Sequence, residues 1–130
     1  MEKRRREAQK KKTMGDELQD RLGTFGARVV DLVEELPGTQ AARHVYDQLL
    51  RAGTAPGAHY GEARNAQSHD DFVHKVGLAA KEAGEARYWL KIVHRSQMVE
   101  RDLSALIGEA DEVVSILYRS LQTARNSNAE

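Results

Sequence analysis

The sequence predicts an all-α fold, an antiparallel up-down-up-down four-helix bundle with a kinked second helix. The composition favours helices, because Ala, Leu, Glu and Arg are abundant and the chain has only two prolines. Apolar residues recur in alternating steps of three and four, and turn or capping signals divide them into four segments. Four amphipathic helices with short connections can bury their apolar stripes by packing side by side in sequence order.

Charge divides the 130-residue chain into a tail and a body. Residues 1–12 hold seven basic side chains and two glutamates, so a tail of charge +5 precedes a body of charge −5 in a chain of net charge zero. We therefore expect a basic disordered tail at 1–13, one bundle domain at 14–125, and a polar tail at 126–130.

The first helix is predicted to end at the turn signal Pro37-Gly38, and Thr39 is predicted to cap the second. The first apolar stripe comprises Leu18, Leu22, Phe25, Val29, Leu32 and Leu36, and the second comprises Ala42, Val45, Leu49, Ala52, Pro56, Tyr60 and Ala63. Glycines and Pro56 weaken the middle of the second helix. A loop at 53–57 is the alternative, but one long kinked helix is preferred because the stripe keeps its phase through Pro56.

Ser68 followed by Asp71 predicts the start of the third helix. Its stripe comprises Phe72, Val76, Ala79, Ala83, Ala86, Leu90 and Val93. After a connection at 95–99, the fourth helix is expected to carry Leu103, Ile107, Ala110, Val114, Leu117, Leu121 and Ala124.

The third helix is apolar on two sides. Opposite its stripe lie four large apolar side chains among five polar ones: Leu78, Tyr88, Trp89 and Ile92 with His74, Lys75, Lys81, Glu82 and Glu85. A helix that is apolar on both sides is normally buried on both sides, and Trp and Tyr are enriched at protein interfaces. The pattern predicts a self-association surface. The alternative is that Trp89 only covers one flank of the bundle core.

Three motifs follow one another at characteristic spacing: Gly53-Thr54-Ala55-Pro56-Gly57-Ala58, Asp71-Phe72-Val73-His74-Lys75, and Lys81 to Leu90 with the pattern Lys-Glu-x-x-Glu-x-x-Tyr-Trp-Leu. Their succession resembles the bacterial four-helix-bundle family named after proteins encoded in intervening sequences of 23S ribosomal RNA genes. The resemblance covers about residues 16–124 and is densest over 49–93.

This resemblance implies a left-handed bundle that assembles into a homopentameric ring, with one continuous second helix. Relatives include the accessory proteins of diversity-generating retroelements, basic pentamers that associate with a reverse transcriptase and nucleic acid. The family's characteristic positions fall on Glu62, His74, Lys75, Lys81, Glu82, Glu85, Tyr88 and Trp89. Two features depart from the pattern: His59 stands where Asn is common, and the body is acidic.

The residues indicate no catalytic site, no metal site and no cofactor. The chain has no cysteine, none of its histidines follows a Glu at the Glu-x-x-His spacing of di-iron bundles, and no Gly-rich phosphate loop occurs. Arg64 and His69 match the Arg-x4-His spacing of helical HEPN ribonucleases, which leaves a ribonuclease as a remote alternative. No apolar stretch is long enough for a membrane span or a secretory signal, so a cytoplasmic protein without a membrane partner is expected.

The expected function is a non-enzymatic oligomeric scaffold or adaptor that associates with RNA, DNA or a ribonucleoprotein such as a reverse transcriptase complex. The tail is the predicted phosphate contact, through Lys3, Arg4, Arg5, Arg6, Lys10, Lys11 and Lys12. The alternative is a protein-interaction module, such as a partner of an enzyme encoded by a neighbouring gene, in which the tail is merely solvated.

Overall fold

The computed structural model describes residues 11–127, which form four α-helices and no strand. Helix α1 spans Met14–Val33, α2 spans Gln40–Arg64, α3 spans His69–Arg95 and α4 spans Ser104–Ser127. The prediction of an all-helical protein with four helices is confirmed. Asn126 and Ser127, expected in the polar tail, continue α4.

Side-chain oxygens start the first three helices. The Thr39 and Ser68 hydroxyls accept backbone N–H groups three residues further on, at 3.1 and 3.0 Å, as their positions predicted. Thr13 and Asp16 form a reciprocal capping box at the start of α1, which was not predicted. These contacts satisfy backbone donors that the first turn of a helix leaves without partners.

Two helix boundaries differ from the prediction, although the apolar residues concerned remain in the interior. Helix α1 ends at Val33, and the chain continues to Leu36 in tighter turns because the residue before Pro37 disfavours the α conformation. Helix α4 begins only at Ser104, where the Asp102 carboxylate accepts the Ser104 N–H at 2.9 Å. Leu103 therefore precedes the helix, and it is still only 1% exposed.

Helix α2 is a single helix through Pro56, so the alternative of a loop at 53–57 is wrong. Its glycines lie where α1 approaches closely: a Cβ atom built on Gly53 would stand 2.6 Å from Val29 Cγ1. One turn further on, Gln19 Nε2 donates to the Gly57 carbonyl at 2.8 Å. The glycines that weaken the helix on its own thus allow α1 to pack against it.

The apolar stripes of all four helices meet in the interior. The largest cluster combines buried side chains such as Phe25 of α1, Leu49 of α2, Leu90 of α3 and Leu106 of α4. Consecutive helices lie close together along their length, α1 and α4 approach each other more sparsely, and the Cα atoms of the diagonal pairs of the described helices stay more than 8 Å apart. The stripe predicted for α4 is wrong at Ile107, which is only partly buried, because the neighbouring Leu106 takes the fully buried position.

Candidate interaction surface on the third helix

The predicted interface residues of α3 lie in two rows along the helix. One row, with steps of three and four, is half-buried: Lys75, Leu78, Glu82, Glu85, Trp89 and Ile92. The second row, with steps of seven, is exposed: His74, Lys81 and Tyr88. Both spacings keep a row on one side of an α-helix. The half-buried row is therefore engaged within the subunit, and the exposed row is the part available to a partner.

Arg51 of α2 binds both glutamates of the half-buried row. Its guanidinium forms an ion pair with Glu82 and donates to Glu85 Oε2 at 2.8 Å, and Gln48 Oε1 lies 3.3 Å from the same group. The Glu82 side chain is only 13% exposed. The hydrogen bond to Glu85, with the attraction of Glu82, raises the pKa of Arg51. Both acids thus share one cation inside the subunit.

A second ion pair joins the end of α2 to the start of α3. Lys75 Nζ lies 2.9 Å from Glu62 Oε2, and this hydrogen bond is the main cause that lowers the pKa of Glu62 and raises that of Lys75. His59 Nδ1 is buried and lies 3.5 Å from Glu62 Oε1, without a hydrogen bond among the described residues. His59 stands where the resemblance leads one to expect Asn. Through Nδ1 it makes no hydrogen bond to the described part of the chain.

Two aromatic side chains lie near the C-terminal end of this surface. Trp89 is half-buried against the core cluster and meets His44 of α2 edge-on, with ring centroids 5.6 Å apart. Tyr88 packs edge-on against Trp89 at 5.1 Å, and 57% of its area stays exposed. Trp89 thus covers a flank of the core, and Tyr88 is the large ring that faces outward.

The α2 side of this surface was not predicted. His44, Gln48 and Arg51 lie at steps of four and three on one side of α2, facing the half-buried row. The signal that could have predicted a cation on α2 was the pair Glu82 and Glu85 on a largely apolar side of α3, since partly buried acids require a cation. Lys75 and Glu85 stand at i,i+4 spacing from Asp71 and Lys81 on the same helix, which would also allow pairs within α3. Lys75 and Glu85 instead contact Glu62 and Arg51 of α2.

The other predicted residues lie away from this surface. Arg64, of the ribonuclease-like spacing, forms an ion pair with Asp16 at 2.6 Å, whereas His69 begins α3 beside an open groove between α1 and α4. Of the predicted phosphate contacts, Lys11 is exposed and Lys12 pairs with Asp20. The remaining five, Lys3, Arg4, Arg5, Arg6 and Lys10, lie outside the described residues.

Residues 11–127 contain no cluster of three His, Asp or Glu side chains that could hold a metal ion. In the same part of the chain, no helix has both the length and the apolar character needed to cross a bilayer.

Comparison with known proteins places the chain in a family. The family model described as 23S rRNA-intervening sequence protein matches residues 20–119. The chain belongs to this family. The match spans α2 and α3 completely and most of α1 and α4, so the resemblance drawn from the motifs is confirmed at the level of the family. The narrower relation to retroelement accessory proteins stays a prediction.

A solved structure agrees with this assignment. The chain is 31% identical to a Bacteroides thetaiotaomicron protein of unknown function from the S23 ribosomal protein family. The superposition covers 85% of this chain and 99% of that one, with a TM-score of 0.76. A search of curated proteins finds no match.

Proposed function

We propose that this protein is a non-enzymatic scaffold or adaptor that assembles into a homopentameric ring and associates with nucleic acid or a ribonucleoprotein. The observation that carries the proposal is the exposed row of α3, which includes a Tyr88 side chain that its own subunit leaves 57% exposed. Large amphipathic rings are enriched at protein interfaces, where burial of an aromatic side chain contributes much of the binding energy.

The subunit in this proposal is an antiparallel up-down-up-down bundle whose second helix is kinked. Inter-helix contacts support the topology, because Asp16 at the start of α1 meets Arg64 at the end of α2, and Glu34 just after α1 meets Tyr46 near the start of α2. A kink at Pro56 is expected because proline removes one helical hydrogen bond and its ring crowds the preceding turn.

The charges of the described residues support a binding role over catalysis. The glutamates and the lysine of the half-buried row are held in ion pairs across α2 and α3. Arg64, of the ribonuclease-like spacing, is likewise held by Asp16. Side chains committed to structural ion pairs are poorly placed to move protons for a reaction, so we assign them to the stability of the subunit.

Nucleic acid would meet the basic tail in the cytoplasm, through phosphate contacts that do not read sequence. A reverse transcriptase complex is one ribonucleoprotein that would fit. The acidic body favours the second candidate, a module that binds only proteins, because its charge repels a phosphate backbone.

The deciding measurement is the solution mass of the full chain by light scattering, before and after nuclease treatment. A pentamer whose absorbance ratio falls on nuclease treatment supports the scaffold with nucleic acid. A pentamer unaffected by nuclease, and unable to bind added RNA or DNA at low salt, supports the protein-interaction module. A monomer at tens of micromolar would contradict the pentameric scaffold.

A further inference from the structure

The exposed row of α3 extends beyond the predicted interface residues and is basic. His74, Lys81 and Tyr88 continue at the same seven-residue step to Arg95, and Lys91 lies beside them. All five are exposed. Within residues 11–127, neither lysine nor Arg95 has a carboxylate at ion-pair distance. We call this set the basic row.

The outer side of α1, together with the residue just after it, carries a row of opposite charge. Asp20, Ala27 and Glu34 follow one another at steps of seven, with Asp31 beside Ala27 and Gly23 one turn before it. All five are exposed, and the row contains no basic side chain. A Cβ atom built on Gly23 would have nothing within 4 Å. We call this set the acidic row.

The two rows match in length and in shape. Lys81 and Arg95 are 14 positions apart, as are Asp20 and Glu34, which corresponds to about 21 Å along a helix at 1.5 Å per residue. Tyr88 stands at the midpoint of the basic row, and Ala27 stands at the midpoint of the acidic one. A large ring would therefore meet a small side chain when the charges at both ends pair.

The subunit cannot pair these rows with each other. Helices α1 and α3 are diagonal neighbours whose Cα atoms stay more than 8 Å apart within the described chain, with the core between them. The rows face away from the core on different sides of the molecule. Within the described chain, Lys12 contacts Asp20 and the Tyr46 hydroxyl donates to Glu34, but both acids stay exposed and can meet a second molecule.

We propose that the basic row of one subunit docks on the acidic row of a second copy of this chain. The contact is heterologous, since two different faces meet, and repetition closes into a ring when the rotation between copies allows it. Charge complementarity of this kind selects the partner face and fixes its register. The proposal rests on the proposed oligomer and specifies which faces build it.

Charge reversal tests the pairing in the full-length protein. One variant carries Lys81→Glu with Arg95→Glu, a second carries Asp20→Lys with Glu34→Lys, and a third carries all four changes. We expect each two-site variant to lower the solution mass toward monomer, with at least about a tenfold rise in the dissociation constant, because like charges then face each other. The four-site variant restores opposite charges and should regain the wild-type mass.

The matched control is Arg119→Glu with Arg125→Glu, two exposed arginines of α4 that belong to neither row. It changes the net charge as much as the first variant and should keep the wild-type mass. Circular dichroism verifies that each variant is helical. If a variant does not fold, the salt dependence of the wild-type mass decides, because ionic contacts at a partly exposed interface weaken as salt rises.

The outcomes separate the two proposals. A monomeric wild type overturns the proposed oligomer and this inference with it. A wild-type oligomer that both two-site variants leave intact, or that the salt series leaves unchanged, overturns the inference alone. A four-site variant that stays monomeric while each two-site variant dissociates shows that the rows do not pair with each other.

Discussion

At the scale of single residues, the ion pair between α1 and α4 bridges the most sparsely packed of the described helix contacts. Arg21 donates two hydrogen bonds to Glu109, at 2.9 and 2.8 Å, and the two side chains are 39% and 21% exposed. These bonds lower the pKa of Glu109. A bidentate pair with one well-covered partner contributes more than an ordinary surface pair.

We expect Arg21→Ala to lower the free energy of unfolding by about 1 kcal/mol. The matched control is Arg101→Ala, whose pair with Glu35 is more exposed on both sides, and it should cost less than about 0.5 kcal/mol. Urea unfolding followed by circular dichroism measures both. Equal losses in the two variants would show that the pair across α1 and α4 contributes no more to stability than an exposed surface pair.

The Asp16 carboxylate, which takes part in the cap of α1, makes the free energy of unfolding depend on pH in acidic solution. The hydrogen bond from Arg64, followed by those from Thr13, lowers the pKa of Asp16 to about 2. The pKa of Glu62 is lowered in the same direction by Lys75. Because the folded carboxylates bind protons less readily than the unfolded ones, their contribution is complete above about pH 5 and is lost as pH falls toward 2.

The thermal midpoint should therefore be steady from pH 7 to about pH 5 and fall between pH 4 and 2. Asp16→Asn removes one of these carboxylates and should make the fall shallower. Asp47→Asn, at an exposed site in α2 without an ion pair among the described residues, should keep the wild-type slope. An identical slope in all three proteins would contradict this account of Asp16.

At the scale of the helices, close approach and local propensity act in opposite directions. A glycine inside a helix normally costs about 1 kcal/mol relative to alanine, so replacing it should stabilise the helix. At Gly53 the added methyl group would overlap the Val29 side chain, with contacts of 2.6 to 2.8 Å. Overpacking of this kind typically costs about 1–3 kcal/mol, so the packing effect outweighs the gain in propensity.

We predict that Gly53→Ala destabilises the protein, whereas Gly108→Ala stabilises it by roughly 0.5–1 kcal/mol. Gly108 is exposed in α4, and a Cβ atom there would have nothing within 4 Å. Chemical denaturation of both variants shows whether each substitution raises or lowers the free energy of unfolding. A stabilising Gly53→Ala would mean that α1 moves away from α2 at little cost.

The helices themselves were predictable because each carries its own apolar period and most carry a local capping signal. The stripes of α2 and α3 are almost entirely buried as predicted. The helix boundaries were harder to predict, because apolar side chains such as Leu36 and Leu103 can reach the core from outside a helix. The role of Arg51 was not predictable from local pattern, since its two acidic partners lie on another helix, more than 30 residues away.

At the scale of the whole molecule, the basic tail and the acidic body have opposite effects on nucleic-acid binding. If the basic tail holds phosphate, affinity for RNA and DNA should be independent of sequence and should fall steeply with salt. A ring would bring five tails together, so weak single contacts could add up on one strand. The acidic body opposes such binding, which leaves the tail as the expected contact.

A salt titration of RNA and DNA binding compares the full chain with a version that begins at Met14. We expect the shorter version to bind more weakly and to lose most of the dependence on salt. The shorter version loses the Thr13 cap of α1 and the ion pair between Lys12 and Asp20 but keeps the four described helices, so light scattering must first verify that both versions have the same number of subunits. Equal affinity would remove the tail from the mechanism.

The dense contact between α2 and α3 has a consequence for how the chain folds. These helices are joined by only four residues, 65–68, and their contact is more extensive than that of any other pair of described helices. Closing a short connection costs little chain entropy, so this hairpin is expected to form early, with α1 and α4 docking later. Native-state amide exchange should then be slowest in the middle of α2 and α3, and faster along the sparse contact between α1 and α4.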